Sequence, residues 1–165
     1  MKHIIIAIAA VIGFASQGED REVHVVALTL LGEARGEGYN GLYAVASTIA
    51  QRSINRNITP KQVCLEDKQF SCWDNTNKEV KDLKYLFEEN KATTDMAMLL
   101  AANIKTLNRS WIGNADHYHN NKINRPFWTY KINKKTGKFL RDKNGNKIPL
   151  QPTKIIGNHI FYKLK

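Results

Sequence analysis

The chain has 165 residues, of which 42% are hydrophobic, enough for one domain with a core that does not depend on disulfides. Lys and Arg number 25 against 15 Asp and Glu, a net charge of +10 that is not evenly spread along the chain.

Residues 1–16 are expected to form an export signal. Lys2 and His3 make a short basic start, Ile4 to Phe14 is an apolar run, and small residues follow from Gly13 to Gly18. A run that short cannot cross a bilayer as a stable helix, which needs about 20 residues. A buried N-terminal helix, or an uncleaved signal that anchors the chain to the inner membrane, are the other readings. Cys64 and Cys72 are the only cysteines, and export would expose them to an oxidising compartment. A disulfide across the short loop between them is therefore expected, with two buried thiols as the alternative.

Glu19 and Asp20 suggest a cap for a helix from about Glu22 to Gly36. Val23, Val25, Val26, Leu28, Leu30 and Leu31 leave that helix little polar circumference. Glu22, Thr29 and Glu33 fall within about 40° of one another at 100° per residue, so a largely buried helix carries one narrow polar slot. Glycines 36, 38 and 41 are expected to end it. A second helix fits Asn40 to Arg56, with Leu42, Val45, Ile49 and Ala50 facing inward. Thr59-Pro60 reads as a cap with proline at the first helical position. Further helices are expected over about Lys78 to Asn90, packing through Leu83, Leu86 and Phe87, and over Thr93 to Leu107, packing through Met96, Leu99, Leu100 and Ile104.

Aromatic residues, histidine and asparagine dominate from His117 to Tyr130. The turn signals Thr136-Gly137 and Asn144-Gly145 then flank Phe139-Leu140, a hairpin pattern. Eight Lys or Arg against Asp142 alone give residues 131–154 a net +7, most of the chain's excess. Such a patch attracts a polyanion, or it is a solvated face; an exported chain has no nucleic acid to meet. Ile155-Ile156 and Ile160-Phe161-Tyr162 read as a closing strand. The fold class is α+β: a mainly helical domain over residues 20–165, with a small antiparallel sheet toward the C-terminus and a basic hairpin insertion at about 131–154.

Glu33 is the first candidate for chemistry. A carboxyl in a narrow slot of an apolar helix has little water around it and resists ionising, which suits general-acid cleavage of a glycosidic bond. The nearby glycines would let a bulky polymer approach the acid. The alternative is a solvated glutamate paired with a basic neighbour. Glu37, four residues on, is a weaker second carboxylate, because Gly36 and Gly38 interrupt the helix; it fits the turn, or a contact with Arg35. Gln69, Ser71, Tyr118, His119, Asn120 and Trp128 could line a sugar cleft, since glycan faces stack on aromatic rings and hydroxyls need amide and imidazole partners. Trp73, Trp111 and Phe127 are expected in the core. His117, His119 and His159 could instead be zinc ligands of an amidase, although their spacing matches no common motif.

The motifs "GEARGE", "GLYAVASTIAQR", "QFSCW" at Gln69 to Trp73, "ADHYHN" at Ala115 to Asn120, "RPFW" at Arg125 to Trp128 and "IGNHIFY" at Ile156 to Tyr162 occur in that order. Together they resemble the cell wall hydrolase family that includes spore cortex-lytic enzymes, over about Val26 to Trp128 and again from Ile156. The resemblance implies a lysozyme-like fold, cleavage of the MurNAc–GlcNAc bond of peptidoglycan, and Glu33 as the catalytic acid. It implies similarity to lytic transglycosylases, in which one carboxyl protonates the leaving oxygen and then acts as base. The muramic acid 6-hydroxyl closes on the sugar to give a 1,6-anhydro end. No cofactor or metal is then required, the partner is the peptidoglycan polymer, and the protein is expected to be an exported monomer of the periplasm or cell wall. The basic 131–154 segment departs from the family pattern, and an exported basic domain also fits a phage or prophage lysis enzyme. A non-catalytic wall-binding protein is the alternative from another class.

Overall fold

The computed structural model of the chain describes residues 18, 20–74 and 83–165. The expected export signal, the Glu19 cap and the first part of the helix expected from Lys78 lie outside the described residues.

Helix α1 spans 20–34 and includes Asp20, which therefore does not cap it. Val25, Val26, Leu28, Leu30 and Leu31 are all at most 2% exposed. A helix apolar on nearly every side must lie at the centre of its domain, and α1 does. Its polar slot is real but differentiated. Thr29 is fully buried, donating its hydroxyl to the Val25 carbonyl at 2.8 Å and accepting the Trp73 indole N–H at 2.9 Å. One turn further, Glu33 is only half-buried.

Helix α2 (Gly38–Arg56) packs through Leu42, Val45 and Ile49, as its spacing predicts. Gly41 lies inside α2 rather than in the turn before it. Helix α3 (Pro60–Leu65) opens with a reciprocal capping box: Thr59 accepts from the Gln62 N–H, and Gln62 accepts from the Thr59 N–H. The short α4 (Leu86–Glu89) and α5 (Lys91–Ala102) complete the helical layer. In α5 the inward stripe is Ala97, Leu100 and Ala101, continued by Ile104, whereas Leu99 is 60% exposed. Helical spacing decides this, since Leu99 falls between the rows at i, i+3, i+4 and i+7.

The sheet is antiparallel with order β1–β3–β2: β1 is His117–Asn120, β2 Lys154–Ile156 and β3 His159–Tyr162. His117 stands opposite Tyr162, and Asn120 opposite His159. The single closing strand expected from sequence is two strands, because Gly157 adopts φ +54° and reverses the chain between them. The sheet meets α2 through a small second core of Ala44, Ile112, Ala115 and Phe161. Tyr118 packs against both cores, so β1 joins them.

Residues 131–154 fold back as expected, but through single bridges rather than long strands: Ile132 with Phe139, Arg141 with Lys147, and Tyr130 with Pro149. Gly137 and Gly145 take the positive φ that the turns require. Asp142 accepts the Asn144 and Asn146 N–H groups, and the Asn146 bond chiefly holds its carboxyl below the usual range.

The expected disulfide and the expected burial of Phe127 are also overturned. Cys64 and Cys72 are free thiols: Cys64 is sealed in the core, where burial pushes its thiol up to about 12, and Cys72 is packed against α1. Phe127 is 74% exposed instead of buried. It opens the one-turn Phe127–Thr129 segment, whose inward position is occupied by Thr129. Trp73 is in the core, and Trp111 is half-buried under the Lys154 ammonium, 4.3 Å from its ring. Among the described residues no helix is long and apolar enough to cross a membrane.

Candidate active site

The last turn of α1 delivers Glu33 to the floor of a cleft of about 480 Å³. Two elements far apart in sequence hold its carboxylate, the Ser71–Trp73 turn and β1. Ser71 Oγ donates to Oε1 at 3.2 Å and the Cys72 backbone N–H to the same oxygen at 3.3 Å, while the Tyr118 hydroxyl donates to Oε2 at 2.9 Å. Ser71 and Tyr118 carry rotatable hydroxyls that can accept as well as donate. The same shell can therefore serve a carboxylate and a carboxylic acid. Burial first, and then the neighbouring Glu33, push the Tyr118 phenol well above its ordinary range, so it remains protonated.

All seven residues singled out for the site line this one cleft: Glu33, Gln69, Ser71, Tyr118, His119, Asn120 and Trp128. His117 and His119 both lie against Trp128, at 5.3 and 5.8 Å between ring centres, as alternate positions on one strand face should. His117 Nδ1 bonds Asp116 at 2.9 Å and His119 Nδ1 the Asn120 carbonyl at 2.9 Å. Among the described residues no group of three His, Cys, Asp or Glu side chains is disposed to hold a metal ion.

Glu37 is elsewhere. Its carboxylate accepts the Asn158 side-chain N–H at 2.7 Å and the Asn158 backbone N–H at 2.9 Å, and these two bonds hold it below the usual carboxylate range. It ties the α1–α2 turn to the β2–β3 turn. Arg35, expected as its partner, pairs with Glu89 at 2.8 Å instead.

Two glycines make room for this protein's own side chains. A Cβ on Gly32 would lie 2.5 Å from Cys72 Cβ, so the missing side chain lets Cys72 come close enough to direct its N–H at Glu33. A Cβ on Gly157 would lie 1.8 Å from Glu37 Oε2. Gly36 and Gly38 face open space.

Four further polar residues line the cleft that were not expected there: Arg52, Lys68, Asp74 and His159, the last considered only as a zinc ligand. Arg52 had a readable signal, since it continues the inward stripe Leu42, Val45, Ile49 of α2, and a charge in that row needs a reason. It is 5% exposed, donates Nε–H to the Asp116 carbonyl at 2.6 Å and lies 5.3 Å above the Phe70 ring. His159 is 4% exposed, with its ring edge-on to Tyr118 at 5.0 Å, and burial lowers its pKa, so it is neutral at pH 7. Asp74, not Glu37, is the second carboxylate of the cleft.

The profile of the family described as Cell Wall Hydrolase matches residues 36–162. The chain belongs to the cell wall hydrolase family. The match takes in both turns that Glu37 joins, the β-sheet and most of the cleft of this hydrolase, and it begins just after Glu33. No curated protein and no solved structure matches the chain.

Proposed function

We propose that this cell wall hydrolase cuts the glycan strand of peptidoglycan at the MurNAc–GlcNAc bond, as a lytic transglycosylase, with Glu33 as acid and then base. The observation that carries the reading is the Glu33 carboxyl in a sugar-sized cleft, gripped through both oxygens by Ser71, Cys72 and Tyr118. In the first step Glu33 gives its proton to the glycosidic oxygen as the C–O bond breaks. In the second, the carboxylate takes the proton of the muramic acid 6-hydroxyl, which attacks the anomeric carbon and closes the 1,6-anhydro ring. An intramolecular nucleophile makes a second carboxylate unnecessary. Trp128, Tyr118, Gln69, Asn120 and His119 would orient the sugars by stacking and hydrogen bonding. The enzyme would act outside the cytoplasm, as a bacterial wall-lytic enzyme or a phage lysis enzyme.

Asp74 supports a second reading, hydrolysis by two carboxylates with Asp74 activating water or shielding the cationic transition state. Purified sacculi digested by the wild type, Glu33→Gln and Asp74→Asn separate the two, with product masses as the readout. Transglycosylation predicts ends lighter by one water, loss of activity in Glu33→Gln and retention in Asp74→Asn. Full-mass reducing ends with an inactive Asp74→Asn favour hydrolysis. Cleavage at amide bonds, or full activity in Glu33→Gln, would sink both; soluble fragments from none of the three forms would leave a wall-binding protein.

A further inference from the structure

Beyond Trp128 lies a second cavity, of about 540 Å³, that no part of the proposed chemistry uses. Trp128 belongs to the lining of both, so the two form neighbouring compartments separated by one indole. The aromatic surfaces of the second are Phe127, Tyr130 and Phe139, and Lys131, Lys134 and Lys163 stand around it with exposed side chains. Most of it is built by the basic 131–154 insertion, whose net +7 has no acidic counterpart on the segment except Asp142. Phe127, 74% exposed, is a large apolar ring held in water by a turn that begins at Pro126.

We infer that this compartment is a continuation of the substrate cleft that holds the adjoining stretch of glycan together with its carboxylate-bearing peptide. The inference rests on the proposed function, which supplies a polymer long enough to pass Trp128. The exposed Phe127 ring offers an apolar sugar face a surface to stack on, and the lysines offer cations to peptide carboxylates. The insertion thereby gives the enzyme a preference for strands that still carry peptides over strands stripped of them. Continuity with the cleft through Trp128 favours this occupant over a membrane surface, which the lysines and Phe127 alone would equally suit.

Binding separates the inference from the reading beneath it. Glu33→Gln, used to keep the polymer intact, is titrated into fluorescently labelled soluble strands with peptides and into strands stripped by an amidase. The parent is expected to bind the peptide-bearing strands more tightly, with a preference that shrinks as salt screens the lysines. Adding Lys131→Glu and Lys134→Glu is expected to weaken binding to peptide-bearing strands by on the order of tenfold, and to stripped strands far less. Phe127→Ala is expected to weaken both. Equal affinity of the parent for the two strands, or equal losses in the double substitution, overturns the inference. Binding to phosphatidylglycerol vesicles that the double substitution abolishes, with strand discrimination unaltered, assigns the surface to a membrane and overturns it too. Residual cleavage by Glu33→Gln would count against the catalytic assignment alone, because the affinity comparison reads the compartment whichever bond is cut.

Discussion

Gly157→Ala tests how Glu37 holds two turns together. The substitution does two things that can be separated. At φ +54° an alanine pays the left-handed backbone penalty, roughly 1–2 kcal/mol. Its Cβ would also lie 1.8 Å from Glu37 Oε2, so the carboxylate must leave. That breaks the bonds from the Asn158 side chain and backbone, at 2.7 and 2.9 Å. For a half-buried carboxylate, which water can partly re-solvate, each bond contributes about 1 kcal/mol. The sum is about 3–4 kcal/mol, or roughly 6–16 °C in Tm for a domain of this size. Gly137→Ala is the control, because φ is +67° and nothing stands near its Cβ. It should show the backbone penalty alone. Thermal unfolding followed by circular dichroism reads both, and Glu37→Ala closes a double-mutant cycle in which the excess cost of Gly157→Ala disappears. If Gly157→Ala costs no more than Gly137→Ala, or if the excess survives in the Glu37→Ala background, the latch is not what glycine protects there.

Gly32→Ala should act on rate more than on stability. Its Cβ would drive against Cys72 Cβ at 2.5 Å, shifting the backbone N–H that faces Glu33, and ångström-scale misplacement of this kind lowers turnover on the order of 100-fold. Adding Cys72→Gly should restore part of the loss, and unchanged sacculus digestion by Gly32→Ala would refute the arrangement. Acid should destabilise the protein in two stages, measured as Tm against pH. His159 has a folded pKa below its ordinary 6.5 because burial resists the charge, so protonation favours the unfolded chain and stability falls as pH drops below about 6.5. Glu37 and Asp116 have folded pKa values below their ordinary 4.5 and 3.8; for Asp116 burial opposes the shift, but bonds from His117, Leu164 and Lys165 outweigh it. Their contribution is complete above the unfolded values and is lost as pH falls through the folded ones. A Tm constant from pH 7 to pH 3 would contradict both stages.

Much of this molecule was legible because its signals are local. The near-continuous apolar circumference of α1, the stripe of α2, the Thr59-Pro60 start and the Gly137 and Gly145 turns each depend on neighbours within a few residues. The slot that singled out Glu33 has the same origin, since a helix converts spacing into direction. Side-chain chemistry then suggested Ser71, Tyr118, His119 and Trp128 for one sugar cleft before any fold was available. Where the local signal was thin, expectation and structure part. Phe127 reads as a core aromatic, yet a one-turn segment has a single inward position and Thr129 takes it. Leu99 is apolar but sits off the buried row.

What the sequence determined by itself was therefore an α+β chain, its family, a candidate acid in Glu33 and a basic segment over residues 131–154. Only tertiary structure decided the company that acid keeps: Ser71 and Tyr118 stand 38 and 85 residues away from it, and Glu37 finds its partner 121 residues on. Contacts over such separations arise when burying α1 forces particular surfaces together, and no periodicity encodes them. The same collapse brought Arg52, Asp74 and His159 to the cleft, let Arg35 choose Glu89 over Glu37, and left Cys64 and Cys72 in separate packing roles instead of a bond.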